Sequence, residues 1–234
     1  MNRVVYYHIA GMHHWREVVA EQLRVLAKSS FKGKVRVGLV APKWDDGYVA
    51  RCFAQYPQFE YDLAHHVEGL HQCEFPTLEL LEADCRSGAV DEVLYFHTKG
   101  VSSPHIGHWH PIMWRWQMNA DLLPRAGDAD LLDGCDHCGS SWKSVEYPHW
   151  PHYEGNFWAA TAEHIRKLPP LKHFRENGTE HGMGPWGSQR HMAEVWLGQA
   201  KGRAKSLDGP DRAYYLKESF LGQDRQDRLH RINS

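Results

Sequence analysis

Apolar positions divide the first hundred residues into alternating short strands and amphipathic helices. Residues 3–9 form a predominantly apolar run that ends at Ala10-Gly11 and predicts a first strand. From Trp15 to Leu26, Val18, Val19, Leu23 and Leu26 recur at the spacing of one helix face. Lys34 to Val40 alternates and then turns wholly apolar, which predicts a second strand. Asp45-Asp46-Gly47 is turn chemistry, with a short helix predicted over Tyr48 to Gln55. Phe59 to Leu63 is a weak third strand. Thr77 to Cys85 carries Leu78, Leu80 and Leu81 and predicts a helix stopped by Ser87-Gly88. Such alternation predicts a largely parallel sheet with right-handed crossovers.

The most informative stretch follows, Asp91 to Gly100. Val93-Leu94-Tyr95-Phe96 reads as a buried strand, and His97-Thr98-Lys99-Gly100 places polar groups where it ends. In open α/β sheets ligands collect outside the carboxyl ends of strands. Farther on, Gly107 to Asp121 reads as a loop entering a helix, Cys135 to Trp142 as a further strand, and Thr161 to Leu168 as a helix stopped by Pro169-Pro170. Residues 186–198 form a last amphipathic helix. We divide the chain into one α/β domain, residues 1–208, and a polar tail, residues 209–234.

Composition narrows the partners more than the chemistry. A formal net charge of -2 over 234 residues gives no footing for nucleic acid, and no apolar run approaches a spanning helix. The N-terminus enters a strand at once and the five cysteines follow no disulfide spacing, so a cytoplasmic location is expected. Histidine and tryptophan are unusually frequent, at 18 and 10 residues, and Trp109, Trp114, Trp116, Trp142, Trp150 and Trp158 fall close together. Aromatic planes suit sugar rings, and they also fill cores.

His97, Thr98, Lys99 and Gly100 could receive an anionic group, with lysine as a point charge and the hydroxyl and backbone amide as donors. A solvated strand exit would look the same. His152-Tyr153-Glu154-Gly155-Asn156-Phe157-Trp158 combines hydrogen-bonding side chains, a permissive glycine and aromatic planes, the mixture that suits a sugar. A core hairpin would also use it. Cys135-Asp136-His137-Cys138 has a zinc-like spacing, but no second Cys/His pair stands at a matching distance. His105, His108 and His110 lie among prolines and glycine and read as loop histidines. Glu194, with Arg190 four residues before it, is either a surface ion pair or a general base.

Taken together, the strand ending in His97-Thr98-Lys99-Gly100, the His152 to Trp158 segment, and Arg190 with Glu194-Val195-Trp196 resemble a group of bacterial glycosyltransferase-like proteins. The resemblance spans residue 3 to about residue 198. It implies a single Rossmann-like domain of the glycosyltransferase A type, with a mostly parallel central sheet flanked by helices. A nucleotide sugar would lie across the carboxyl ends of the sheet and a carbohydrate or other hydroxyl compound would be the acceptor. On this reading His8, Gly11, His97, Thr98, Lys99 and Gly100 hold the donor and its diphosphate. His152, Tyr153, Gly155, Asn156, Trp158 and Arg190 line the sugar or acceptor side, with Trp158 or Tyr153 as a platform. Glu194 is the expected base, with Glu154 as its rival.

The departure from the pattern lies at the fourth strand. Family members of this fold usually end it in D-x-D and bind manganese or magnesium there, whereas this chain offers His97-Thr98-Lys99. Metal dependence is therefore in doubt, and no metal ligand is assigned. Asp128-Ala129-Asp130 matches D-x-D but has no strand ahead of it, and reads as a helix start. Two other readings remain: a non-catalytic binder of carbohydrate or nucleotide sugar, and a metal-dependent hydrolase using the histidines.

Overall fold

The computed structural model describes residues 2–42, 45–69, 73–102, 109–144, 150–177 and 189–207. The strands are β1 (Arg3–Ala10), β2 (Gly33–Val40), β3 (Phe59–Val67), β4 (Glu92–His97), β5 (His137–Gly139), β6 (Trp142–Lys143), β7 (His152–Tyr153), β8 (Trp158–Thr161) and β9 (Ala204–Ser206). The helices are α1 (Trp15–Leu26), α2 (Asp46–Phe53), α3 (Phe75–Ser87), α4 (Trp109–Leu122), α5 (Ala162–Lys167), α6 (Leu171–Asn177) and α7 (Gln189–Val195).

The main sheet has seven strands in the order β3-β2-β1-β4-β8-β5-β9, and β6 and β7 form a separate pair. The left side is parallel throughout, with Val5 opposite Val35 on one flank and Leu94 on the other. The antiparallel β8 then joins β4 to β5. This is the expected α/β architecture, a mostly parallel sheet between helices.

Period two along β1 explains the two cores. Val5, Tyr7 and Ile9 face α1, α2 and α4, while Val4 and Tyr6 face α3, α5, α6 and α7. A strand covered on both faces must read as a continuous apolar run, and β1 and β4 do. Tyr7 and Phe96 stack across the strand pair at 4.2 Å between centroids. Each fully buried apolar side chain here contributes about 1.5–3 kcal/mol.

The crossovers fix where a ligand crevice must fall. From β1 the chain steps to β2 and β3 on one side, with α1 and α2 on one face. It then returns through α3 on the opposite face to place β4 on the other side of β1. The carboxyl ends of β1 and β4 therefore flank a topological switch point, where such sheets open toward ligands.

Several local expectations need correction. Asp128 to Asp130 lies in turns before β5 rather than at a helix start: the Arg3 guanidinium donates to the carbonyls of Ala126 and Asp128 at 2.7 Å and holds that backbone non-helical. The predicted strand from Cys135 to Trp142 is two short strands, broken at Ser141, whose φ of 57° is left-handed. Of the helix predicted over 186–198, residues 186–188 lie outside the described residues, and the rest is α7 followed by a 3-10 turn over Trp196–Gln199. The residues after 207 lie outside the described part.

Candidate functional site

The exits of β1 and β4 are stitched to one another. Thr98 N donates to His8 O at 3.1 Å, and Ala10 N donates to the Thr98 hydroxyl at 2.9 Å. The Thr98 side chain is thus a backbone staple at the switch point. Gly11 N donates to Val40 O at 2.8 Å, and a Cβ on Gly11 would collide with Ala41, so the turn out of β1 accepts only glycine. His8 does not reach outward as a nucleotide contact. It is buried under α3, where its Nδ1 meets the Thr77 hydroxyl at 2.9 Å. Burial drives its pKa down to about 3, so the ring is neutral.

Beyond Thr98 the polar groups converge. Lys99 is buried, its Nζ 3.4 Å from Glu194 Oε1 and 4.7 Å above the centre of the Trp114 ring. Its carbonyl accepts from Arg115, which Glu21 grips at 3.1 Å, so the backbone exit is held as firmly as the side chain. Gly100 follows with a φ of 85° and turns the chain away. The strand exit and the helix bearing Glu194, 95 residues apart in sequence, meet at this ion pair.

The second segment arrives from the other side. Asn156 N donates to Tyr153 O at 3.1 Å, closing a turn through Glu154 and Gly155. Gly155 and Asn156 both have left-handed φ, 77° and 60°. Glycine adopts this freely, and asparagine is one of the few other residues that visits it. A Cβ on Gly155 would collide with Met118 Sδ and lie 3.6 Å from Lys99 Cε, so the glycine lets the turn close onto the lysine. The Gly155 carbonyl accepts from His97 Nε2 at 2.8 Å.

Beneath the turn lies a residue the sequence did not single out, Glu74. It is buried immediately before α3, and its Oε2 accepts from Tyr95 Oη at 2.7 Å and from Asn156 Nδ2 at 2.6 Å. Its Oε1 stands 3.6 Å from His97 Nδ1. Asn156 is fixed in turn by Trp158, whose indole N–H donates to its Oδ1 at 2.7 Å. The one available signal was an acid ahead of Phe75-Pro76, where proline opens a helix.

The aromatic platform is corrected by burial. Trp158 and Tyr153 are each 1% exposed, and the Tyr153 hydroxyl donates inward to the His137 carbonyl at 3.0 Å. Neither presents a face to a ring. Asn156 is likewise turned inward, at 1% exposure. Trp114 is only partly buried and stands over Lys99, so among the described residues it brings an aromatic ring to the site. His152 is half-buried, with Nδ1 2.6 Å from Trp150 O. Glu154 accepts from the Ser141 hydroxyl at 2.7 Å and pairs with Lys143 at 3.3 Å. Arg190 stands on α7, but its side chain lies outside the described residues.

A divalent metal does not fit this donor set. Manganese and magnesium are held by oxygen ligands, carboxylates chief among the side chains that supply them. At the end of β4 the groups are an ammonium, a ring nitrogen already donating to a carbonyl, and a hydroxyl engaged with the backbone, while the carboxylates beside them, Glu194 and Glu74, face Lys99 and His97. Among the described residues no group of three or more His, Cys, Asp or Glu could hold a metal ion. Cys135 and Cys138 are buried, and burial drives both thiols up, Cys138 to about 12, away from the thiolate that zinc needs.

A cavity of about 820 Å³ lies at the opposite end of the strands, lined by residues including Arg3, Lys34, Arg36 and Asp84. Its arginines are spent in ion pairs: Arg36 with Asp62 and Asp84, Arg3 with Glu92. It faces the amino ends of the strands, and we place the site at the switch point instead.

Residues 4–234 match the model of a family described as "Domain of unknown function (DUF8361)". The chain belongs to the DUF8361 family. No curated protein sequence matches this DUF8361 chain. Among solved structures, it is similar to a TarS fragment from S. aureus, residues 1–349, with 9% identity and a TM-score of 0.44, over 89% of this chain and 58% of that one. The DUF8361 chain thus spans less than two thirds of that fragment. A 4-diphosphocytidyl-2C-methyl-D-erythritol synthase shows 15% identity and a TM-score of 0.39, over 94% and 98% of the two chains. The same TarS fragment in complex with UDP gives 9% and 0.38, over 98% and 68%. No helix among the described residues is long and apolar enough to cross a membrane.

Proposed function

We propose that this protein is a glycosyltransferase that moves a sugar from a nucleotide-sugar donor to a hydroxyl acceptor, its diphosphate lying at the carboxyl ends of β1 and β4. The observation that carries this reading is the Lys99–Glu194 pair, a buried cation and an acid 3.4 Å apart at the switch point. A diphosphate arriving at Lys99 competes with Glu194 for the ammonium. Once displaced, the Glu194 carboxylate is available to take the acceptor's proton. The acceptor oxygen bonds to the anomeric carbon, the bond from that carbon to the phosphate oxygen breaks, and the nucleoside diphosphate leaves with the electron pair beside Lys99. A fixed cation at the developing anion supplies what a divalent ion would otherwise provide.

Thermal-shift measurements with nucleoside diphosphates and nucleotide sugars, followed by transfer assays, test this. Stabilisation by a nucleoside diphosphate, turnover that survives EDTA, and a loss of about a hundredfold in Lys99→Ala are expected. Full activity in Lys99→Ala overturns the role of the cation. The base is tested separately: Glu194→Gln should lose turnover while Glu154→Gln, already held by Ser141 and Lys143, keeps most of it. Near wild-type transfer in Glu194→Gln would move the assignment to Glu154.

A further inference from the structure

We infer that His97 is a buried imidazolium, and that Glu74 is the positioning residue that keeps it charged. The argument is an inventory of donors and acceptors. The Trp158 indole can only donate, so the Asn156 atom 2.7 Å from it is Oδ1, and the amide nitrogen is the atom that faces Glu74 at 2.6 Å. That nitrogen can only donate, so Glu74 Oε2 accepts, as it does from Tyr95 Oη at 2.7 Å. Two donors on one oxygen stabilise the carboxylate form.

The opposite side of the ring is equally constrained. The Gly155 carbonyl can only accept, so His97 Nε2 carries a hydrogen. A neutral ring would then turn the bare lone pair of Nδ1 toward Glu74 Oε1, 3.6 Å away. A second hydrogen on Nδ1 converts this repulsion into an ion pair between two groups that are almost fully buried, with side-chain exposures of 7% and 6%.

The other charged groups around the ring allow it. His8, from β1, is neutral because its burial drives its pKa down to about 3. Lys99 lies two residues along the chain and is paired with Glu194 from α7. Tyr95, on the same strand, donates to Glu74 and remains protonated, its pKa raised by burial and then by Glu74. The carboxylate of Glu74, 3.6 Å from Nδ1, is thus a negative charge set directly against the ring. Resting on the function proposed above, the consequence is a diphosphate site with two fixed cations, His97 and Lys99. One is matched by an acid that a ligand can displace, the other by an acid locked into the core.

Nitrogen NMR of the ring tests the proton directly. At about pH 8 an ordinary imidazole, with a pKa near 6.5, is neutral. In the full-length protein without ligand, His97, assigned by the loss of its signals in His97→Asn, is expected to show both ring nitrogens protonated at that pH. One protonated and one bare nitrogen overturns the inference. In Glu74→Gln the ring should revert to a neutral form with its hydrogen on Nε2. A ring still doubly protonated there overturns the assignment to Glu74. Titration with a nucleoside diphosphate separates this from the function: a charged His97 in a protein that binds none upholds the imidazolium and counts against the transferase reading.

Discussion

Lowering the pH from 7 to 5 is expected to remove at least about 3 kcal/mol of folding stability, well before the carboxylates titrate. The cause is a set of histidines buried as neutral rings. Burial drives His8 down to about 3 and His137 down to about 4, with His164 adding to the depression of His137. In the unfolded chain each has a pKa near 6.5. Between these values the unfolded state binds protons that the folded state refuses, so stability falls as the pH drops below about 6.5 and levels off near 3–4. At pH 5 each ring costs about 2 kcal/mol. His65 and His164 are shifted the same way, chiefly by burial.

The geometry around His137 shows why it resists protonation. Its ring lies 4.5 Å from that of His164, and its Nδ1 meets the Tyr153 hydroxyl at 2.9 Å. His164 gives its Nε2 to the Leu197 carbonyl, while its buried Nδ1 has no hydrogen-bond partner among the described residues. A proton on either ring places a charge beside the other in a buried setting, and the neighbouring Asp136 offsets that cost only in part. Urea denaturation at pH 7 and pH 5 measures the difference, and a midpoint that does not move would show that these rings are not held neutral in the fold.

The sequence carried the sheet further than it carried the site. Strands covered on both faces announce themselves, and Val93 to Phe96 could hardly be anything else. β3 was read four residues short because His65 and His66 interrupt its apolar pattern. Yet it is an edge strand, and His66 there gives its ring to the Ala41 carbonyl at 2.8 Å. Polar residues at an edge are ordinary, but no local pattern distinguishes them from a loop.

At the site, the three segments picked out by residue type do meet: His97 touches Gly155, and Lys99 touches Glu194. What the sequence could not show is which side chains face outward. Asn156 and Trp158 have the chemistry of a sugar subsite and spend it on one another and on Glu74. The direction of a side chain in an irregular turn depends on left-handed φ angles at Gly155 and Asn156, and nothing local marks the asparagine as left-handed. Glu74 was passed over for the same reason. A single acid before a helix usually serves the helix, and only the sheet brings Tyr95, Asn156 and His97 to it.

Glu74→Ala is therefore expected to destabilise the protein by about 3–5 kcal/mol, among the largest effects of any single substitution in this chain. The change strands the Tyr95 hydroxyl and the Asn156 amide, each at a cost of about 1–3 kcal/mol in a buried setting. It also removes the charge that faces His97 across 3.6 Å. Tyr95→Phe removes one donor and leaves the acceptor still served by Asn156, so its cost should stay near 1 kcal/mol. The ratio of the two is the informative quantity, since it can be read from guanidinium midpoints without assuming any activity. If Glu74→Ala cost no more than Tyr95→Phe, the carboxylate would be one hydrogen-bond acceptor among several. A several-fold larger cost makes it the post on which the Gly155–Asn156 turn is hung, with the turn in turn holding its carbonyl against His97 and its Cα against Lys99.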